Sequence, residues 1–293
     1  MIQNVQKIAF ATNKIRCFAT IWKFHGLKIH LKNNGLQQIS PFSFKNLNNV
    51  RELLIEDECV LFHPNSLSSI SVLDFLVIKG ACSLETETFS NTTRVHNLHI
   101  SDSKFNLTTR AFSGLSHVNH IQIQNNQIDA IQEETFAGSS TIGNLQIQTN
   151  RIERLEPRAL AGTENLGTVV FTQNVIYQPL SSPECILNDA QKFIFSDNTL
   201  FCGCPMKWIL FETDRSFLKE NFCGREEAFK ALIYFEPQNC PTLPTKFTTV
   251  STPEISEVAS FQPTNAAHPV ATYSLVSPII IFAQVSLCSI VFQ

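Results

Sequence analysis

Across 293 residues the chain carries 22 Lys and Arg against 25 Asp and Glu, so no excess of positive charge directs it to nucleic acid. A hydrophobic share of 43%, with 24 Phe and only 16% charged residues, excludes a disordered chain and requires a packed core. Nine Cys, some at disulfide-like spacings, point to an oxidising compartment.

Lys7, Lys14, Arg16 and Lys23 interrupt every apolar stretch of residues 1–24, where a secretory leader would show an unbroken apolar run of about 7–15 residues. The first acidic residue is Glu52, and an acid-free basic start superficially resembles a mitochondrial transit peptide. The cysteines argue for secretion instead, so residues 1–20 read as a residual N-terminal segment and the natural chain is expected to begin upstream of Met1. The sequons Asn91-Thr92-Thr93 and Asn106-Leu107-Thr108 fit secretory passage and make Asn91 and Asn106 candidate glycosylation sites.

From about residue 21 a repeat takes over. The pattern L-x-x-L-x-L-x-x-N-x-L is met by Ile121, Ile123, Asn126 and Ile128, then by Leu145, Ile147, Asn150 and Ile152. Val169, Phe171, Asn174 and Ile176 meet it again, as do Phe193, Phe195, Asn198 and Leu200. First positions fall at Gly26, Val50, Leu73, Val95, Val118, Ile142, Leu166 and Ala190, at spacings of 22 to 24 residues. These start eight repeats, numbered one to eight below. Side chains alternate along a strand, so positions 4 and 6 fill a core while 3, 5 and 7 face outward. The Asn at position 9 satisfies turn backbone inside the stack. Glu58, Ala81 and Ser103 stand there in repeats two to four, where the ladder should be less regular.

Over roughly residues 21–240 the chain resembles the extracellular leucine-rich repeat proteins. Phe44, Phe89, Phe112, Phe136 and Leu160 are similar to the phenylalanine spine of that family. The resemblance implies an α/β fold: a leucine-rich repeat solenoid with a curved parallel sheet on the concave face, short helical or irregular segments on the convex face, and a disulfide cap. The repeats occupy 21–197. Asn198 to Cys204, followed by Trp208, Cys223 and Cys240, resembles the cysteine-rich C-terminal cap, over 198–240. In that family the first cysteine pairs with the third and the second with the fourth, which implies Cys202 with Cys223 and Cys204 with Cys240. Zinc is the weaker reading of these four, because their spacing lacks two close pairs. Cys59 and Cys82 share position 10 of successive repeats, about 4.8 Å apart in a parallel ladder, within disulfide reach; two buried thiols are the alternative. Cys17 reads as the trace of an N-terminal cap, and neither it nor Cys185 has an assignable partner.

Residues 241–264, rich in Pro, Ser and Thr, read as an extended stalk. After Glu257 no charged residue follows, and Leu275 to Phe292 is mostly apolar. Small residues at Asn265, Ala266 and Ala267, a polar spacer and an apolar tail fit a glycosylphosphatidylinositol signal over 265–293, with Asn265 as the anchor site. A spanning helix and a merely apolar end are the alternatives.

Outward positions give two kinds of surface. Lys28, His30, Lys32, Glu52, Leu54, Glu56, Phe75, Val77 and Lys79 make a charged half with an apolar spot, of which Leu54, Phe75 and Val77 are candidates for contact with a protein. Asn97, His99, His120, Gln122, Gln124, Asn144, Gln146 and Gln148 make a neutral patch of donor-acceptor groups suited to a glycan or to a partner's backbone. A solvated sheet face is the plain alternative. His99 and His120 leave adjacent strands at different levels with no acid beside them, so a metal site is not expected. No hydrolase elbow, zinc-protease motif, phosphate loop or dinucleotide fingerprint occurs, so no catalysis and no cofactor are expected.

The 24-residue repeat, cysteine cap and anchored tail resemble arthropod adhesion proteins of the connectin and chaoptin kind. The few repeats and the IWKF opening also resemble secreted relatives of the non-catalytic subunit of decapod luciferase. The first resemblance implies extracellular recognition of a protein or glycan from the membrane surface, the second a soluble scaffold for a catalytic chain. Innate recognition of microbial molecules would use the same surface chemistry, and self-pairing as a homodimer is left open.

Overall fold

The computed structural model describes residues 7–11, 27–44, 50–68, 70, 72–90, 94–186, 189–212, 215–225 and 228–236. The described residues all fall within one compact body, Met1–Cys240. The stalk and tail, Cys17, Asn91, Cys240 and Asn265 lie outside the described residues.

Each repeat contributes one strand to a parallel ladder: Leu27–Lys32, Val50–Phe62, Val72–Leu84, Arg94–Ser101, His117–Gln124, Thr141–Gln148, Asn165–Thr172 and Lys192–Ser196. Equivalent positions pair, as Leu145 does with Ile121 on one side and Val169 on the other. The reason is the period-two pattern: Ile121, Ile123, Leu145, Ile147, Val169 and Phe171 are wholly buried, and a slip of one residue would turn each to solvent. Burying a side chain of this size contributes about 1.5–3 kcal/mol.

Beyond the strand the chain turns through a left-handed residue at position 8, namely Asp102, Asn125, Thr149, Gln173 and Asp197; an asparagine follows each of these except Asp102, after which Ser103 stands. Asn150 Nδ2 donates to Ile123 O of the preceding repeat at 2.9 Å and to Asn174 Oδ1 of the next at 3.0 Å, and Asn150 N–H also donates to that oxygen. Asn126, Asn174 and Asn198 repeat the arrangement. Asn221, which the repeat pattern does not reach, ends the ladder: its Oδ1 accepts from Asn198 and its Nδ2 donates to Phe195 O and Phe217 O.

Two features depart from the expected form. The segment after the turn is not helical but a second parallel ladder of short strands, including Gln127–Ile131, Arg151–Leu155 and Val175–Ile176. Strands therefore dominate, and among the described residues the one α-helix is Arg215–Glu220, in the cap, so the α/β expectation is corrected toward a β-rich solenoid. The turns of the side opposite the main ladder close on backbone hydrogen bonds and on spine rings, with one short 3-10 helix at Pro183–Cys185: Phe89 stacks on Phe112 at 5.7 Å and Phe112 on Phe136 at 4.7 Å. Leu67 and Cys185, both buried, fill comparable places in repeats two and seven, and Cys185 is a free thiol.

Repeats two and three, which lack the asparagine, run as continuous 13-residue strands with register shifts between Glu56 and Leu61. There Asp57 Oδ2 accepts from the Asn34 and Leu36 N–H groups, taking over the work of the missing amide. In repeat four the Ser103 hydroxyl accepts from Ala81 N–H and donates to Ser101 O. Gly80, at φ +74°, lies so close to Asp57 that a Cβ would sit 1.7 Å from its carbonyl oxygen, so no other residue fits this crossing.

The other departure is upstream. Lys7–Ala11, inside the segment read as residual, is a strand paired in parallel register with Leu27–Lys32, Ile8 opposite Ile29 and Phe10 opposite Leu31. Ile8-x-Phe10-x-x-Asn13-x-Ile15 is the repeat pattern itself, hidden from the eye by the intervening lysines. At the other end, Thr199–Leu200 pairs with Phe222–Arg225, which forms an antiparallel hairpin with Ala228–Ala231. A disulfide from Cys202 to Cys223, Cα atoms 5.4 Å apart, fixes this closure, and Trp208 Nε1 donates to Leu180 O. Cys204 is also a disulfide cysteine; its expected partner Cys240 is not among the described residues.

Candidate ligand-binding face

The outward side of the main strand ladder falls into three zones. In repeats one and two the charges pair across strands. Lys28 Nζ and His30 Nε2 each lie 2.6 Å from the Glu52 carboxylate, and Lys32 Nζ lies 2.8 Å from Glu56 Oε1. Partial burial pushes the Glu52 carboxyl up, but hydrogen bonds and charge from Lys28 and His30 outweigh it and hold the group below its ordinary value of 4.5. Leu54, half-buried, stands in register between His30 and Val77.

In repeats three to five the face opens into a depression of about 410 Å³. Phe75, Val77 and Lys79 form one wall, Asn97 and His99 rise from the next strand over a floor at Leu98, and His120 and Gln122 close the far side. Register explains the grouping: Phe75 pairs with Asn97 and Asn97 with His120, while Val77 pairs with His99 and His99 with Gln122. Phe75 is 50% exposed, an unusual state for a phenylalanine on a regular strand. Asn97 Nδ2 donates to Asp74 O at 3.0 Å, and its side-chain oxygen has no hydrogen-bond partner among the described residues.

Beyond the depression the amides bond to one another. His99 Nδ1 is 3.2 Å from Gln122 Oε1, Gln122 Nε2 donates to Gln124 Oε1 at 2.7 Å, and Gln148 Nε2 donates to the same oxygen at 3.0 Å. Gln124 and Gln148 thus hold the patch in place, while Asn144 and Gln146 continue the ladder outside the depression. Of the residues singled out from sequence, Phe75, Val77, Asn97, His99, His120 and Gln122 come together; Leu54, Gln124, Asn144, Gln146 and Gln148 flank them. Lys79, which the sequence places at position 7 of repeat three in the same outward row but not among the contact candidates, joins the site.

A wider hollow of about 610 Å³ adjoins the disulfide that joins Cys59 to Cys82, whose Cα atoms are 4.7 Å apart. It is lined by Asp57, Glu58, Asp102, Lys79 and Lys104 together with turn backbone. Among the described residues no group of three or more His, Cys, Asp or Glu could hold a metal ion. Asn106 is half-buried in the short strand Lys104–Leu107, with Oδ1 unpartnered, and the Thr108 hydroxyl of its sequon donates to Leu84 O. No helix among the described residues is long and apolar enough to cross a membrane.

Residues 62–180 match the family of the BspA type leucine rich repeat region, in six copies. No curated protein matches the chain. The repeat match over residues 62–180, the register of the strands and the asparagine ladder fit a leucine-rich repeat solenoid carrying disulfides, an architecture typical of non-catalytic interaction proteins.

Proposed function

We propose that this protein recognises a protein or glycan outside the cell through the outward face of repeats three to five. The observation that carries the reading is the depression around half-exposed Phe75, where an aromatic ring, the amides of Asn97 and Gln122 and two histidines meet on a rigid sheet. A sheet face positions such groups well and shields reacting atoms poorly, which favours binding over chemistry. The disulfides favour an oxidising compartment. The Asn265 segment and apolar tail favour attachment to the membrane by a lipid, and with it a role in adhesion, as the resemblance to connectin and chaoptin implies.

Treatment of intact native cells with a phosphatidylinositol-specific phospholipase tests the placement. Release of the protein into the medium is the expected result. Protein that resists release and is found soluble outside the cell would overturn the anchor and favour the scaffold-subunit reading.

A further inference from the structure

We infer that the depression of repeats three to five is a subsite for an acidic saccharide, one bearing carboxylate or sulfate groups. The inference rests on the proposed recognition role and names its ligand class.

Charge is the first argument. The outward face of repeats one to three carries three lysines against two glutamates, in a chain whose net charge is −3. Both glutamates are turned away from the depression: Glu52 holds Lys28 and His30, and Glu56 holds Lys32. No carboxylate lines the depression, while Lys79 does. The contact of Lys79 with Asp102 is 3.8 Å, without a hydrogen bond, and Asp102 lies toward the neighbouring hollow. An incoming anion therefore meets an ammonium group that needs little rearrangement to receive it.

Shape and hydrogen-bonding capacity specify the saccharide. A half-exposed phenyl face flanked by Val77 offers an apolar platform to the C–H face of a sugar ring. Sugar hydroxyls donate and accept at once, and the groups facing them do the same. Among the described residues neither the Asn97 side-chain oxygen nor the His120 ring has a hydrogen-bond partner, so both can meet a ligand. His99 and Gln122 are already oriented by each other, so little side-chain freedom is lost when a ligand binds. The volume falls inside the range of about 300–1,000 Å³ found for small-ligand sites. A hydrophobic peptide would leave Lys79 and the amides unpaired at a cost, which weighs against that class.

Calorimetric titration of the full chain with three hexasaccharides tests the inference: hyaluronan, carrying carboxylate only; chondroitin sulfate, carrying both anions; and cellohexaose, which is neutral. The acidic probes should bind at least tenfold more tightly than cellohexaose, with the preferred anion read from the first two. Phe75→Ala and Lys79→Gln should each weaken acidic binding about tenfold, while Lys219→Gln on the distant cap helix leaves it unchanged. Equal binding of neutral and acidic probes, or acidic binding untouched by Lys79→Gln, would overturn the acidic inference yet leave recognition at this face standing if Phe75→Ala still weakens it. Binding of no probe would overturn the saccharide assignment alone, because the recognition role is judged separately by occupancy of the face on native cells. Acidic binding lost equally in Lys219→Gln would place it elsewhere and overturn the site.

Discussion

Asn174 shows how a single side chain serves three repeats at once. Its Nδ2 donates back to Ile147 O and forward to Asn198 Oδ1, while its Oδ1 accepts two donors from Asn150. Asn174→Ala would strand the Ile147 carbonyl and both Asn150 donors in a buried turn, each costing about 1–3 kcal/mol. Allowing for relaxation, urea unfolding should show a loss of about 3–5 kcal/mol. Asn34 offers the contrast, since it is equally buried but neither atom of its amide has a partner, so Asn34→Ala should cost about 1 kcal/mol or less. Equal losses at the two sites would contradict the ladder as the source of stability. Glu52 supplies a pH dependence with a definite sign. Its folded-state affinity for protons is lowered, so its contribution is complete above pH 4.5, the ordinary value that applies to the unfolded chain, and is lost as pH falls through the lower folded value. The wild type should therefore exceed Glu52→Gln in stability by roughly 1 kcal/mol at neutral pH, with the gap closing in acid. A gap that widens below pH 4 would refute the assigned pairing.

At the scale of the element, repeats two and three stand out, because a disulfide, a glycine crossing and Asp57 replace the missing asparagines. Cys59 and Cys82 are 23 residues apart, and a cross-link of that span stabilises by about 3 kcal/mol. The double variant Cys59→Ser/Cys82→Ser should unfold at correspondingly lower denaturant, with hydrogen exchange accelerating first in the strands of these two repeats. Uniform exchange along the whole array would show that the staple is not local. How much of this was legible beforehand follows from which signals are periodic. Strand positions, register, most of the spine and the ladder follow from residues spaced by 22–24, and the Cys59–Cys82 approach follows from their shared position. The second ladder of short strands was not legible, since its two- to five-residue segments carry too few side chains to set a period. Ile8 and Phe10 were overlooked because the basic residues around them obscured a motif that the parallel pairing with Leu27–Lys32 makes plain. Asn221 escaped because its repeat is broken by the cap, where the residues before it form the helix Arg215–Glu220 in place of a strand and Ser216 stands at position 4. At the candidate site the outward rows contain seven of the assembled residues, Lys79 included, but only packing shows that they surround one depression while Gln124 and Gln148 serve each other.

For the whole molecule, a stack of like repeats buries its core between neighbours, so the frame is insensitive to what its outer row carries. That freedom is what lets the array hold charged pairs at one end, a depression in the middle and a locked amide patch beyond, without cost to the fold. Recognition through this row is the central claim, and its most direct test is hydroxyl-radical footprinting of the native protein on its own cells, compared with the purified chain. Phe75, His99 and His120 should be oxidised several-fold more slowly on the cell, while exposed Phe42, Phe211 and Tyr234 react equally in both states. Unchanged oxidation of the three depression residues, with protection appearing instead at Phe42, Phe211 or Tyr234, would contradict the account and place the ligand on another face.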